Sequence, residues 1–164
     1  MKLYGKQSLS TMLKIVLLMM MAVITVLFFY IGYSIVLSAA AHNFALQSLL
    51  LLAFFILGSL ASEHILYRFM RITNTLIASD PFTTDNVKSL RFIARDCFIV
   101  SLCYLVNFIV NPAYGKVQII SVDGKGVHTD VEYLIFLFAG CFILILSKVF
   151  EQAVVYKEEN DLTV

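Results

Sequence analysis

Charge vanishes from one long stretch of the chain and returns afterwards only in short bursts. Between Ile15 and Ser62 there is no Asp, Glu, Lys or Arg, and an apolar run of about 20 residues already crosses roughly 30 Å of hydrocarbon as a helix. The stretch is long enough to cross twice. Its middle, Ala40-Ala41-His42-Asn43, is short and uncharged, which forces the second crossing to lie antiparallel beside the first. Two more uncharged runs follow, Cys97 to Gly115 and Tyr133 to Ser147, the latter extended by the apolar positions Val149, Phe150, Ala153 and Val154. The pattern predicts an all-α integral membrane four-helix bundle forming one domain over 1–164, with spans at about 13–39, 44–67, 92–111 and 132–154. A central loop at 68–91 and an outer loop at 112–131 connect them.

The central loop is the most patterned part of the chain. Pro81 cannot continue a helix and biases Asp80 away from the α region, so the chain turns at Ser79-Asp80-Pro81. Thr83 or Thr84 then supplies a hydroxyl to cap a new helix. Val87, Leu90, Ala94, Cys97, Phe98 and Ser101 fall at helical spacing, with Lys88, Arg91 and Arg95 on other faces. One long helix is expected to start outside the bilayer and continue as the third span. In the outer loop Val117 to Val122 is strand-like and Asp123-Gly124 is a hairpin turn signal. These predict a small extracytoplasmic β-hairpin, too marginal to stand without support from the bundle. In the second span, Gly58 and Ser62 have the spacing that lets another helix approach closely.

Composition agrees with a lipid environment: 60% of residues are hydrophobic and 14% charged, against about 25% charged in soluble proteins. The distribution of basic residues sets orientation. Lys2, Lys6, Lys14, Arg68, Arg71, Lys88, Arg91, Arg95, Lys148 and Lys157 lie on one side, and only Lys116 and Lys125 on the other. This asymmetry places both termini and the central loop in the cytoplasm, N-in and C-in. The basic residues are explained by topology, and direct nucleic-acid binding is not expected. Ala39-Ala40-Ala41 resembles a signal cleavage site, but the apolar run before it exceeds the 7–15 residues of a signal peptide and reads as a retained anchor. Cys97, Cys103 and Cys141 fall within spans and lack CxxC partners, so they read as small packing residues.

Ionisable residues at membrane depth deserve a functional hypothesis. Glu63 and His64 near the end of span two, Asp96 near the start of span three, and Lys148 and Glu151 near the end of span four gather at one interface level, close to Arg91 and Arg95. They are expected to form a polar cluster tying spans two, three and four together, or else a docking or sensing surface. Gln152 shares a face with Lys148 and Glu151. Glu158, Glu159 and Asp161 stand at a helix C-terminus, where acidic groups oppose the dipole by about 0.3–1 kcal/mol each, so helix stability does not explain them. Asn107 reads as an interhelical hydrogen-bond partner.

No enzyme chemistry is expected. Glu63-His64-Ile65-Leu66-Tyr67-Arg68 loosely resembles the Glu-Glu-x-x-x-Arg segment of intramembrane proteases, but lacks the second glutamate. His42 and His64 are separated by roughly 33 Å of helix and cannot share a metal or haem, so no cofactor is expected. A transport pathway would need polar or broken helices converging near mid-bilayer, and the central portions of spans one, two and four show no comparable set.

Two segments carry a family resemblance. Asp80-Pro81-Phe82-Thr83-Thr84-Asp85-Asn86-Val87-Lys88-Ser89-Leu90-Arg91-Phe92-Ile93-Ala94, and Val149-Phe150-Glu151-Gln152 running on to Glu158-Glu159-Asn160-Asp161-Leu162-Thr163-Val164, resemble the two signatures of a bacterial four-helix membrane family, domain of unknown function 2975. The resemblance implies a membrane partner for a small Cro-like helix-turn-helix regulator encoded nearby, and no catalysis. It leads to the expectation of a regulatory or sensor protein that binds such a regulator at the cytoplasmic face. The basic start of the third helix would meet the acidic tail, or both would face a partner. The alternative is a small immunity or transport protein acting on an extracytoplasmic peptide or lipid. Small-residue faces allow a homo-oligomer without demanding one.

Overall fold

The computed structural model describes residues 9–41, 46–110, 121–123, 126–128 and 131–161. Four helices carry the fold: α1 Leu9–Ala41, α2 Leu46–Ile77, α3 Thr84–Val110 and α4 Glu132–Asp161. α1 is rich in Val, Ile and Phe, which have low helix propensity in water. In lipid, an unpaired backbone amide or carbonyl costs several kcal/mol, so these sequences become helices whatever their intrinsic preference. Each of the four is long and apolar enough to cross a membrane. The chain is a multi-pass membrane protein.

The helices pack in chain order, α1 on α2, α2 on α3 and α3 on α4, with no close backbone approach between α1 and α4 among the described residues. The bundle is therefore an open row. α3 has a neighbour on two sides and supplies most of the buried side chains, among them Leu90, Ile93, Ala94, Cys97 and Val100. α1 leaves Met19, Val26, Phe29, Tyr30 and Tyr33 widely exposed to the bilayer. Close approach depends on two glycines. The Cβ that Gly58 lacks would lie 3.4 Å from Cys103 Cβ, across the α2–α3 seam. The one Gly140 lacks would lie 2.9 Å from Phe98 Cε1 and 3.2 Å from the Ala94 carbonyl oxygen, across the α3–α4 seam. Ser101 reinforces that second seam by donating to the Tyr133 carbonyl at 2.7 Å.

Most of the segment expected as a central loop is helical. α2 runs on to Ile77, past the predicted end of its span at 67, and α3 begins at Thr84. The turn between them is tightly specified. Asp80 N–H donates to the Thr75 carbonyl at 3.0 Å and Ser79 N–H to the Leu76 carbonyl at 3.1 Å, with Ser79 at φ 64°. This is the left-handed C-terminal cap that satisfies otherwise orphaned carbonyls. Thr83 caps α3, its Oγ1 accepting from Asn86 N–H at 3.2 Å. Buried Asn86 then ties the two helix ends, its Nδ2 donating to Thr75 Oγ1 at 2.6 Å and to the Pro81 carbonyl at 2.7 Å.

At the opposite end of the bundle β1 Ser121–Asp123 and β2 Gly126–His128 form an antiparallel ladder with Val122 opposite Val127. Residues 111–120 lie outside the described residues, as do Gly124 and Lys125, so the strand-like start of the outer loop and the turn itself lie outside them too.

Candidate functional site

The polar residues concentrate in the half of the bundle that carries the α2–α3 turn, where side chains from different spans meet. They form three groups where one cluster was expected.

The first lies between α2 and α3. Asp96 is buried, with 2% side-chain exposure, and a carboxylate at that depth needs its lone pairs filled. Arg95 donates through Nε at 3.1 Å and Nη2 at 2.8 Å to Asp96 Oδ1, while His64 Nδ1 lies 2.5 Å from Asp96 Oδ2. On the far side of the imidazole, Arg68 Nε donates to His64 Nε2 at 3.0 Å. An arginine has no acceptor to offer, so Nε2 carries the lone pair and Nδ1 the proton. In this arrangement His64 donates from Nδ1 to Asp96 and accepts at Nε2. The Phe92 ring is shared by both guanidiniums, with Arg68 4.3 Å and Arg95 4.9 Å from its centre.

The second group joins α3 to α4. Arg91 Nη2 donates to Glu151 Oε1 at 2.5 Å, and Lys148 Nζ to Glu151 Oε2 at 3.1 Å. Below it the Phe82 and Phe150 rings meet at 5.5 Å, and Lys157 Nζ donates to Asp80 Oδ1 at 2.8 Å. The third group joins α1 to α2, where Thr25 Oγ1 lies 2.8 Å from Glu63 Oε1 and 2.9 Å from the Met21 carbonyl. A hydroxyl has one proton, so Thr25 serves one of these acceptors at a time. Towards the other end, α1, α2 and α3 leave a groove of about 630 Å3 between them, mostly apolar, lined by Phe28, Phe55 and Tyr104 together with the polar Ser59 and Asn107.

Comparison with known proteins then bears on the two segments clasped at this end. The family model described as Protein of unknown function (DUF2975) matches residues 13–164. The chain belongs to the DUF2975 family. No curated protein and no solved structure matches it. In this DUF2975 protein the segments 80–94 and 149–164 meet each other through described residues: Asp80, Phe82 and Arg91 of the first contact Lys157, Phe150 and Glu151 of the second. At the tail Lys157 gives a cation to Asp80, and the basic start of α3 is met higher up α4 by Glu151.

The predicted site residues are distributed accordingly. His64, Arg95 and Asp96 are brought together, as are Arg91, Lys148 and Glu151, whereas Glu63 turns to α1. Gln152, Glu158 and Glu159 are exposed along the last turns of α4, and the Asp161 side chain lies outside the described residues. Among the described residues no three His, Cys, Asp or Glu side chains gather as a metal site. Sequence reasoning missed Arg68, Phe92, Thr25 and Asn86. Arg68 was within reach of a helical reading, since it follows His64 by four residues and must share its face; Thr25 had no such signal, because it sits in a uniformly apolar helix.

Proposed function

We propose that this DUF2975 protein is a regulatory membrane partner that holds a small helix-turn-helix transcription regulator at the cytoplasmic face of a bacterial inner membrane. The observation that carries the reading is the construction of the α2–α3 turn and the end of α4. Asp80–Lys157 and Phe82–Phe150 fasten the turn to α4, and the last turns of α4 then hold Glu158 and Glu159 exposed beyond the apolar span. An acidic, ordered helical end beside the turn is a complementary surface for a small basic DNA-binding domain. The ten-to-two distribution of Lys and Arg supports a cytoplasmic position for this end, and the family resemblance supports the regulator as the partner.

The test is in vivo crosslinking in the native membrane followed by mass spectrometry of the purified adducts, for the intact chain and for a chain lacking residues 158–164. Capture of a helix-turn-helix protein by the intact chain and its loss on truncation is the expected result. Capture that survives truncation removes the α4 end as the docking surface, and adducts between copies of this chain alone remove the regulator.

A second reading rests on the groove between α1, α2 and α3. Its apolar lining and open flank suit a lipid or hydrophobic peptide arriving from the bilayer or the outer face, as an immunity or transport protein requires. Filling it with Ser59→Phe abolishes protection or transport under that reading and leaves regulator capture intact under the first.

A further inference from the structure

The Arg68–Phe92–Arg95 arrangement holds more positive charge than the protein uses. Asp96 is the one carboxylate within reach of the two guanidiniums among the described residues, and both its oxygens are taken, Oδ1 by Arg95 and Oδ2 by His64. Arg68 makes no ion pair with a described carboxylate; its bond to the protein runs from Nε to His64. A guanidinium carries five N–H donors. Arg68 commits one of them and Arg95 two, so most of two donor forks remains unspent. Two guanidiniums beside one carboxylate leave the group with an excess of positive charge.

The forks are also held in place. Both guanidiniums lie on one Phe92 ring, at 4.3 and 4.9 Å, and the Arg68 stem is fixed at His64. The Arg95 side chain is 56% exposed, so its free donors face the surroundings. Arg68 follows the apolar part of α2 and Arg95 opens the apolar part of α3, the level at which hydropathy leads headgroups to be expected. Exposed Tyr67, whose ring lies 6.4 Å from His64, has the amphipathic character of residues at that level. Planar paired donors, excess positive charge and a headgroup position together select a phosphate ester.

We propose that Arg68 and Arg95, splinted by Phe92, bind the phosphate of an anionic phospholipid at the α2–α3 seam. Asp96 and His64 are positioning residues: they orient the two arginines without touching the lipid. The occupant is a lipid rather than a soluble phosphate because both arginines stand where apolar helix gives way to polar helix, the level at which headgroups are expected.

Native mass spectrometry of the full-length protein, released from delipidated detergent micelles supplemented with phosphatidylglycerol or phosphatidylcholine, tests this. Phosphatidylglycerol is expected to remain bound to the wild type and phosphatidylcholine to dissociate. Arg68→Gln and Arg95→Gln each weaken phosphatidylglycerol retention by roughly tenfold, and Arg68→Lys restores only part of it because a point charge replaces a fork. Arg71→Gln removes the same charge from a residue 3.8 Å from Asp85 and outside the site, and is expected to leave retention unchanged. Equal retention of the two lipids, or an Arg71→Gln loss as large as that of Arg68→Gln, would reduce the site to general surface charge and overturn the proposal. Displacement of phosphatidylglycerol by inorganic phosphate at equal concentration overturns the lipid assignment in favour of a soluble anion. Circular dichroism of each variant confirms that folded protein is compared, and Arg68→Lys keeps the test decisive if Arg68→Gln does not fold.

Discussion

Two glycines that look alike in sequence are expected to respond differently to alanine. In Gly140→Ala the new Cβ arrives 2.9 and 3.1 Å from two atoms of the Phe98 ring and 3.2 Å from the Ala94 carbonyl oxygen. The ring can swing, but the carbonyl belongs to the α3 backbone, so α3 and α4 must separate. Overpacking of this kind costs about 1–3 kcal/mol. In Gly58→Ala the Cβ meets Cys103 Cβ at 3.4 Å and Sγ at 3.6 Å, an ordinary contact, so stability is expected to change little. The two variants should therefore differ by about 1–3 kcal/mol. Reversible unfolding of micelle-solubilised protein with increasing dodecyl sulfate, followed by circular dichroism at the helical band, measures the difference. Adding Phe98→Leu to Gly140→Ala should recover part of the loss, because neighbouring substitutions are non-additive. If Gly140→Ala were as stable as Gly58→Ala, the claim that the α3–α4 seam is limited by backbone approach would fail.

Other positions give equally direct tests. Ser79→Gly should raise stability by about 0.5–1 kcal/mol in the same unfolding assay, since a left-handed conformation costs an L-residue roughly 1–2 kcal/mol and the greater freedom of glycine in the unfolded chain offsets part of the gain; no change would mean that the turn relaxes without strain. Asn86→Ala removes the donors to Thr75 Oγ1 and the Pro81 carbonyl and should cost about 2 kcal/mol, and faster proteolysis at the turn than elsewhere would locate the damage. Asp96→Asn removes the buried charge that accepts from Arg95 and His64 and should cost about 1.5–3 kcal/mol; an unchanged midpoint would show that these bonds contribute nothing to stability. For orientation, Ser79→Cys should react with a membrane-impermeant maleimide only after the cytoplasmic side is opened, and labelling of intact spheroplasts would reverse the assigned topology.

The spans and the caps were legible in the chain because both are local. Crossing a bilayer depends on apolar length alone, so the uncharged runs from Ile15, Cys97 and Tyr133 mark their helices without reference to one another. Pro81 and Thr83 likewise declare a helix boundary through their own backbone chemistry. The extent of α2 beyond 67 was not legible by hydropathy, because those residues leave the apolar region yet continue the helix until the left-handed cap at Ser79. Partner choice lay further out of reach. A helix that is apolar all round has no stripe to show which face meets protein and which meets lipid, so nothing in the sequence assigned Glu63 to Thr25, told Gly140 from Gly58, or set two arginines on Phe92. Those outcomes depend on the rotation of each helix about its axis, which is decided by packing against neighbours distant in the chain. The pairing of Asp80, Phe82 and Arg91 with Lys157, Phe150 and Glu151 is of the same kind: the residue types were present in the sequence, and only the antiparallel arrangement of α3 and α4 brought them face to face.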